Sequence, residues 1–195
     1  MSEANRYLDE VYRAENREEL RAAYERWAHR YDSDLVDELG WDKPLRVGDV
    51  VRRYSEPGSA VLDVGCGTGL VGAYLAAQGY SNLTALDYTP AMLAHARARG
   101  VYRDLLLHDL HDPLPMPDGS FDVVVGVGVF TEGHVGSDCV PELARVSRGT
   151  VIFSLRDDLL EGFPVDLPLV ERVRFEDGLG ARPWSVWVYS SPGPS

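Results

Sequence analysis

The sequence predicts an α/β protein: a mostly parallel sheet of seven strands, helices on both faces, a C-terminal antiparallel hairpin and an N-terminal helical cap. Three observations predict it. From residue 60 onward short apolar runs alternate with helical segments, the pattern of parallel strands joined by crossover helices. The first run, Val61–Val64, passes straight into glycines at 65, 67 and 69, and the second ends on Asp87. After Leu155 the alternation stops, and two further strands follow with only a loop between them.

The elements follow in chain order. Asn16 with Glu19 three residues later reads as a helix start with a reaching acid. Behind it Leu20, Tyr24, Trp27, Tyr31, Leu35 and Leu39 form one apolar stripe, which predicts a single helix from about Arg17 to Leu39. A shorter helix is expected over Arg46–Tyr54. Strands are expected at Ala60–Val64, Leu83–Asp87, Leu105–His108, Phe121–Val127 and Thr150–Leu155, with helices at Gly69–Gln78, Pro90–Arg99 and Val140–Arg148 between them. Thr89 and Pro90 supply a capping hydroxyl and a proline at the first helical position. The run Phe-Asp-Val-Val-Val-Gly-Val suits a central strand covered on both sides. Gly162, Pro164 and Pro168 break the segment from Asp157 to Leu169. The hairpin strands are Leu169–Phe175 and Pro183–Ser190, joined by a loop with Asp177-Gly178 and Gly180. The chain is expected to be one domain, with a cap over 1–55, a core over 56–190 and a disordered tail over 191–195.

Composition narrows the function. The 195 residues suffice for one buried core. The polar, acidic N-terminus does not read as a targeting signal, and no apolar run approaches the roughly 20 residues of a membrane span. Two cysteines are too few for a disulfide framework, so a cytoplasmic location is the simple reading. A net charge of −12 opposes counterion-release binding to nucleic acid. Much of the acid lies before residue 43 on an expected helix surface, where a solvated face explains it. Lys43 is the only lysine, which reads as the bias of a GC-rich bacterial genome.

A glycine turn after one strand and a carboxylate after the next make a nucleoside site at the strand tips. Glycines 65, 67 and 69 let the backbone approach a ligand closely. The spacing Gly-x-Gly-x-Gly differs from the Gly-x-Gly-x-x-Gly of dinucleotide sites, and Asp63 suits a ligand carrying an ammonium group. Asp87 can accept both hydroxyls of a ribose; its alternative, capping the next helix, is a place Thr89 already fills. Asp109 can accept from an adenine amino group or simply form a turn.

Those residues carry a family resemblance. Val61–Gly69, Leu83–Asp87, and His108–Leu110 with Phe121–Val124 resemble three motifs of the class I S-adenosylmethionine-dependent methyltransferases, whose sheet is Rossmann-like. Residues 126–135, with Glu142-Leu143, Arg145-Val146 and the upstream run Tyr24–Asp32, resemble the methyltransferase-like protein 27 subgroup. The resemblance spans roughly Tyr24 to Arg148. It implies S-adenosyl-L-methionine as cofactor and S-adenosyl-L-homocysteine as product. Gly65, Cys66, Gly67, Thr68 and Gly69 would line the methionine portion, with Asp63 near its ammonium. Asp87 would hold the ribose. Tyr88 and Met92 would pack near the adenine, Asp109 would bond its amino group and the Leu110 N–H would meet the ring. Gly126 and Val127 would present carbonyls near the sulfonium. Trp27 and Tyr31 would close over the cofactor or pack as plain core.

Departures exist. Ser147-Arg148-Gly149-Thr150 replaces the usual proline-glycine-glycine turn, and residues 157–169 leave little room for a helix. The expectation is an uncovered apolar sheet face, buried in a homodimer or open as a wide substrate mouth. Where the acceptor must lose a proton, His134 is the candidate base, since an imidazole titrates near about 6.5; a surface histidine is the alternative, and Glu132, His108 and His111 are weaker candidates. No metal is expected, for His108, Asp109, His111 and Asp112 are merely adjacent in sequence. The reading is methyl transfer to a small-molecule acceptor, with no nucleic-acid or membrane partner. Its rivals are a cofactor-binding protein without transfer and a nicotinamide-dependent oxidoreductase.

Overall fold

The computed structural model describes residues 2–131, 134–176 and 183–193. A seven-stranded sheet forms the centre, in the order β3-β2-β1-β4-β5-β7-β6. The strands are β1 Val61–Val64, β2 Leu83–Asp87, β3 Asp104–Leu107, β4 Phe121–Phe130, β5 Ser147–Arg156, β6 Leu169–Phe175 and β7 Trp184–Ser190. The first five run parallel, and β7 joins β5 and β6 antiparallel. The helices are α1 Glu3–Arg13, α2 Arg17–Trp27, α3 Lys43–Tyr54, α4 Leu70–Ala77, α5 Pro90–Arg99 and α6 Val140–Val146. The expected loop residues Asp177, Gly178 and Gly180 lie outside the described residues.

Alternate residues of each central strand face opposite layers. Val61, Val123, Val125 and Ile152 pack with Val47 and Val51 of α3 and Leu75 of α4. Leu62, Val64, Val124 and Phe153 pack with Leu143 of α6. A sheet buried on both faces is what a valine-rich run such as β4 requires. The chain walks from β1 outward to β3, then returns to β4 on the other side of β1. The reversal opens a crevice at the tips of β1 and β4.

The N-terminal stripe does not form one helix. It breaks after Trp27, and residues 33–38 widen into a π-helical turn. The cause is Asp34, which is buried and accepts from the Trp27 indole Nε1 at 2.9 Å and from Arg30 Nε at 3.2 Å. A buried acid with two donors outweighs continuation of a regular turn. Helix α1, capped by the Ser2 hydroxyl, was not legible in the sequence. Helix α3 begins at Lys43 rather than Arg46, with Pro44 in its first turn. Thr89 precedes α5 as expected, yet its hydroxyl caps no helical N–H.

The apolar sheet face expected to stand open is covered by the chain itself. Residues 157–162 form a 3₁₀ turn, and Leu159, Leu160, Phe163, Val165 and Leu167 pack on the cluster around Phe153. That removes the argument for a second subunit. Ser191, expected in a disordered tail, is buried, and its hydroxyl lies 2.7 Å from the carbonyls of both Ala144 and Ser147, donating to one of the two at a time. Among the described residues no helix is long and apolar enough to cross a membrane.

Asp63 is the one acid inside β1, 2% exposed, and it accepts the Tyr102 hydroxyl at 2.6 Å. Burial pushes its carboxyl up to about 7, against the lowering effect of the Tyr102 bond. In the unfolded chain an aspartate titrates near about 3.9. Between those values the native state holds a proton that the unfolded chain has released, so stability falls as pH rises from about 4 to about 7 and then levels off. In Asp63→Asn this contribution is absent. Thermal unfolding from pH 4 to 8 is therefore expected to show wild type losing Tm relative to the variant across that window; a pH-independent Tm difference contradicts it.

Candidate functional site

The crevice holds a cavity whose floor is the strand tips. Gly65 and Gly67 follow β1, Asp87 ends β2, Asp109 and Leu110 follow β3, and Val127 lies in β4. Tyr24 and Tyr31 hang into it from the cap. The cavity encloses about 90 Å³ and borders two others, of about 410 Å³ and 30 Å³.

Asp87 organises the floor. One carboxylate oxygen accepts the Gly67 N–H at 2.9 Å and the other the Thr89 N–H at 2.8 Å. Burial raises its pKa, and those two N–H groups oppose the rise. A carboxylate has about four acceptor directions, so two backbone donors leave capacity for two hydroxyls.

The three glycines have three different jobs. Gly67, at φ 54°, has nothing within 4 Å of where a Cβ would stand, so its open side forms a cradle. A Cβ on Gly65 would come within 2.5 Å of Val129, so that glycine admits the returning β4. At Gly69 a Cβ would press on Tyr102 and Ala96, at 3.0 and 3.3 Å. Gly69 therefore serves packing against α5 and lines none of the three cavities.

Asp63, Cys66 and Thr68 line the small adjoining cavity. Burial pushes the Cys66 thiol up, so no thiolate is offered there. The Thr68 hydroxyl donates to Asp32 of the cap, and the Thr68 carbonyl accepts Arg99 Nε at 2.6 Å. Arg99 also pairs with Asp32, which ties cap, turn and α5 together.

The residues expected on the adenine side line the main cavity together. Met92 is buried there, and the Tyr88 hydroxyl is buried with no hydrogen-bond partner among the described residues. Burial and the nearby Asp87 keep the Tyr88 phenol protonated. Asp109 accepts the His111 N–H at 3.0 Å, meets the His111 ring at 2.7 Å and pairs with Arg17 at 3.3 Å. Burial raises its pKa, but His111 and Arg17 outweigh that and the net shift is downward.

Other expectations land elsewhere. Trp27 turns into the core of the cap and lines the larger cavity, not the main one. Gly126 sits within β4, where a Cβ would stand 3.2 Å from Val64, and it lines none of the three cavities. His134 lines both the main and the larger cavity, and its Nε2 lies 2.8 Å from the Tyr24 hydroxyl. Burial holds Tyr24 well above a free phenol. Glu132 lies outside the described residues. Sequence reasoning missed Tyr24, Arg17 and Val129 as site residues. The first two belong to the cap: Tyr24 lies in a stripe that signals helix packing without saying what lies beneath, and Arg17 reads only as a helix start. Among the described residues no group of three or more His, Cys, Asp or Glu is placed to hold a metal ion.

Comparison with known proteins agrees with this geometry. Residues 62–154 match the family described as a methyltransferase domain. Methyltransferase-like protein 27 of Homo sapiens is 39% identical over 132 residues, 66% of this chain and 54% of that protein. The 18S rRNA (guanine(1575)-N(7))-methyltransferase of Saccharomyces cerevisiae is 35% identical over 104 residues, 53% of this chain and 37% of that protein. The chain thus spans about half or less of these curated relatives. A TehB-like SAM-dependent methyltransferase from Corynebacterium glutamicum shares the fold, with a TM-score of 0.65 and 23% identity over 87% of this chain and 98% of that one. The match over residues 62–154 and the 39% identity to methyltransferase-like protein 27 are consistent with the class I S-adenosylmethionine-dependent methyltransferase likeness that the motifs from Val61 to Val124 lead one to expect.

Proposed function

We propose that this protein transfers a methyl group from S-adenosyl-L-methionine to a small-molecule acceptor, releasing S-adenosyl-L-homocysteine. The carrying observation is the Asp87–Gly67 bond, which sets a carboxylate and an open backbone cradle on neighbouring strand tips facing one cavity. Residues present fit the cofactor. Asp87 keeps acceptor capacity for the ribose, the Tyr88 hydroxyl lacks a partner, and Gly67 leaves room for the amino-acid portion. Met92, Asp109 and Leu110 take the adenine side, and Val127 with Gly126 behind it takes the sulfonium side. Asp63, Cys66 and Thr68 support the turn, reaching the ammonium from the small cavity. When bound, the cofactor supplies a methyl group activated on a sulfonium. The chain's own residues align the acceptor and exclude water. Tyr31 and Trp27 close the cap over them.

The cofactor would span the main cavity and the small one, which share Tyr31, Gly65, Gly67 and Val127 as common wall. His134 is the proton acceptor where the nucleophile is a phenol or an ammonium, because it stands at the junction of the two larger cavities and is held there by Tyr24. The small-molecule reading draws on the net charge of −12 and on the cap that walls the second cavity. Kinship with an rRNA methyltransferase makes an RNA acceptor the competing outcome.

Calorimetry with S-adenosylhomocysteine is expected to show binding that NAD does not reproduce. Asp87→Ala is expected to weaken it about tenfold or more, from loss of roughly 1.5–3 kcal/mol of hydrogen bonding to a charged group; unchanged affinity contradicts the ribose assignment. With a proton-bearing acceptor, His134→Gln is expected to lower kcat about 10²–10⁴-fold and to abolish the acidic limb of the pH profile. Cofactor affinity should stay within about threefold. A retained acidic limb removes His134 as the base.

A further inference from the structure

The small cavity, of about 30 Å³, is lined by Asp63 together with Gly65, Cys66, Gly67 and Thr68 of the turn. Tyr31 and Trp41 close it from the cap. Among the described residues that line it, Asp63 is the one carboxyl. Its Oδ2 accepts the Tyr102 hydroxyl at 2.6 Å, and that hydroxyl in turn accepts the Gly72 N–H of α4 at 3.1 Å. The ionisable groups that face Asp63 are Tyr102 from the loop before β3, Asp87 at the tip of β2 and Cys66 of the turn. None of these is a cation.

A carboxyl that is 2% exposed and meets no countercharge favours its neutral acid. Burial pushes Asp63 up to about 7; the Tyr102 hydroxyl opposes the rise, the like charge of Asp87 adds to it and the Gly72 N–H opposes it. A ligand ammonium reverses the balance, because an opposite charge within about 4–6 Å favours the ionised form.

We propose that the ammonium of the cofactor takes its countercharge from Asp63 by displacing the proton held there, so that one proton leaves for solvent as the cofactor binds. The O–H bond of the acid breaks, the proton passes to water, and the carboxylate remains with Tyr102 still donating to it. The proposal rests on the S-adenosylmethionine reading of the site and deepens it by tying capture of the cofactor to pH through one acid of β1. The coupling is reciprocal: the proton opposes the cofactor as much as the cofactor opposes the proton. Affinity therefore rises with pH up to about 7 and is level above it.

The test is calorimetric titration with S-adenosylhomocysteine in pairs of buffers that differ in ionisation enthalpy, since the difference in heat counts the protons exchanged. Close to one proton is expected to leave at about pH 6 and almost none at about pH 8.5, with affinity rising up to about tenfold per pH unit between about 5.5 and about 7. Methylthioadenosine keeps the adenosine and the sulfur but has no ammonium. It reports any proton moved at Asp87, Asp109 or the histidines of the main cavity, and it is expected to release little. Decarboxylated S-adenosylhomocysteine keeps the ammonium without the carboxylate and is expected to release the proton. Asp63→Asn should bind S-adenosylhomocysteine with no proton released and with an affinity that does not rise toward pH 7. Tyr102→Phe keeps the acid and removes a donor that favours its charged form, so release should extend to higher pH; it serves where Asp63→Asn does not fold. Release that methylthioadenosine matches, that the decarboxylated compound lacks or that survives in Asp63→Asn overturns the proposal, as does a pH range that Tyr102→Phe leaves unmoved. Tight binding of S-adenosylhomocysteine with no proton released sinks this proposal alone. No binding at all sinks it together with the methyltransferase reading.

Discussion

The site depends on one carboxylate shared between two backbone donors. Asp87 bonds the Gly67 N–H of the turn after β1 and the Thr89 N–H of the turn after β2. Neither turn has other side-chain support at those N–H groups, and both belong to loops that must end strands and start helices. A buried acid there costs desolvation, which the rise in its pKa records. The compensation is geometric. Bonding both donors to one group fixes the spacing of two strand tips and leaves the carboxylate's remaining lone pairs turned to the crevice. A leucine would be cheaper to bury and would fix neither turn.

The cap adds what the sheet cannot. Parallel strands supply a floor, and the larger cavity takes its walls from the cap together with β4, β5 and β7. The attachment of the cap is polar at the edges and aromatic in the middle. Asp32 reaches Thr68 and Arg99, Asp34 holds Trp27, and Tyr24 meets His134. Between them Trp27 and Tyr31 meet edge to face at 4.8 Å. Hydrogen bonds at such edges contribute on the order of 1 kcal/mol each, less than a packed core layer. Contacts of this kind open at lower cost than the ladder of a central sheet.

Legibility in the sequence followed locality. The bounds of β2 and α5 and the placement of the glycine turn were readable because each is set by neighbours within a few residues: Asp87 at a strand end, Pro90 at a helix start, Gly100 after its end. The break in the Arg17–Leu39 stripe was not readable, because periodicity locates Trp27 and Leu35 but is blind to Asp34 seeking the indole between them. Likewise β4 runs on to Phe130, past the expected Val127, because its bulge near Gly128 is held by the Ser154 hydroxyl of another strand at 3.0 Å. The proline-broken segment after Leu155 read as a missing cover. Its apolar residues do the covering without regular structure, since packing needs buried area and not a helix. Tyr24 was visible as core and invisible as a site residue, because its partner is 110 positions away.

The same reasoning bears on how far the family likeness reaches. Motifs from Val61 to Val124 carry the likeness, and one fold serves very different acceptors. Trp41, Lys43, Arg156 and Trp184 lie outside those motifs, on the cap, on β5 and on the hairpin strand β7. A likeness at the strand tips therefore does not reach the residues that line the larger cavity.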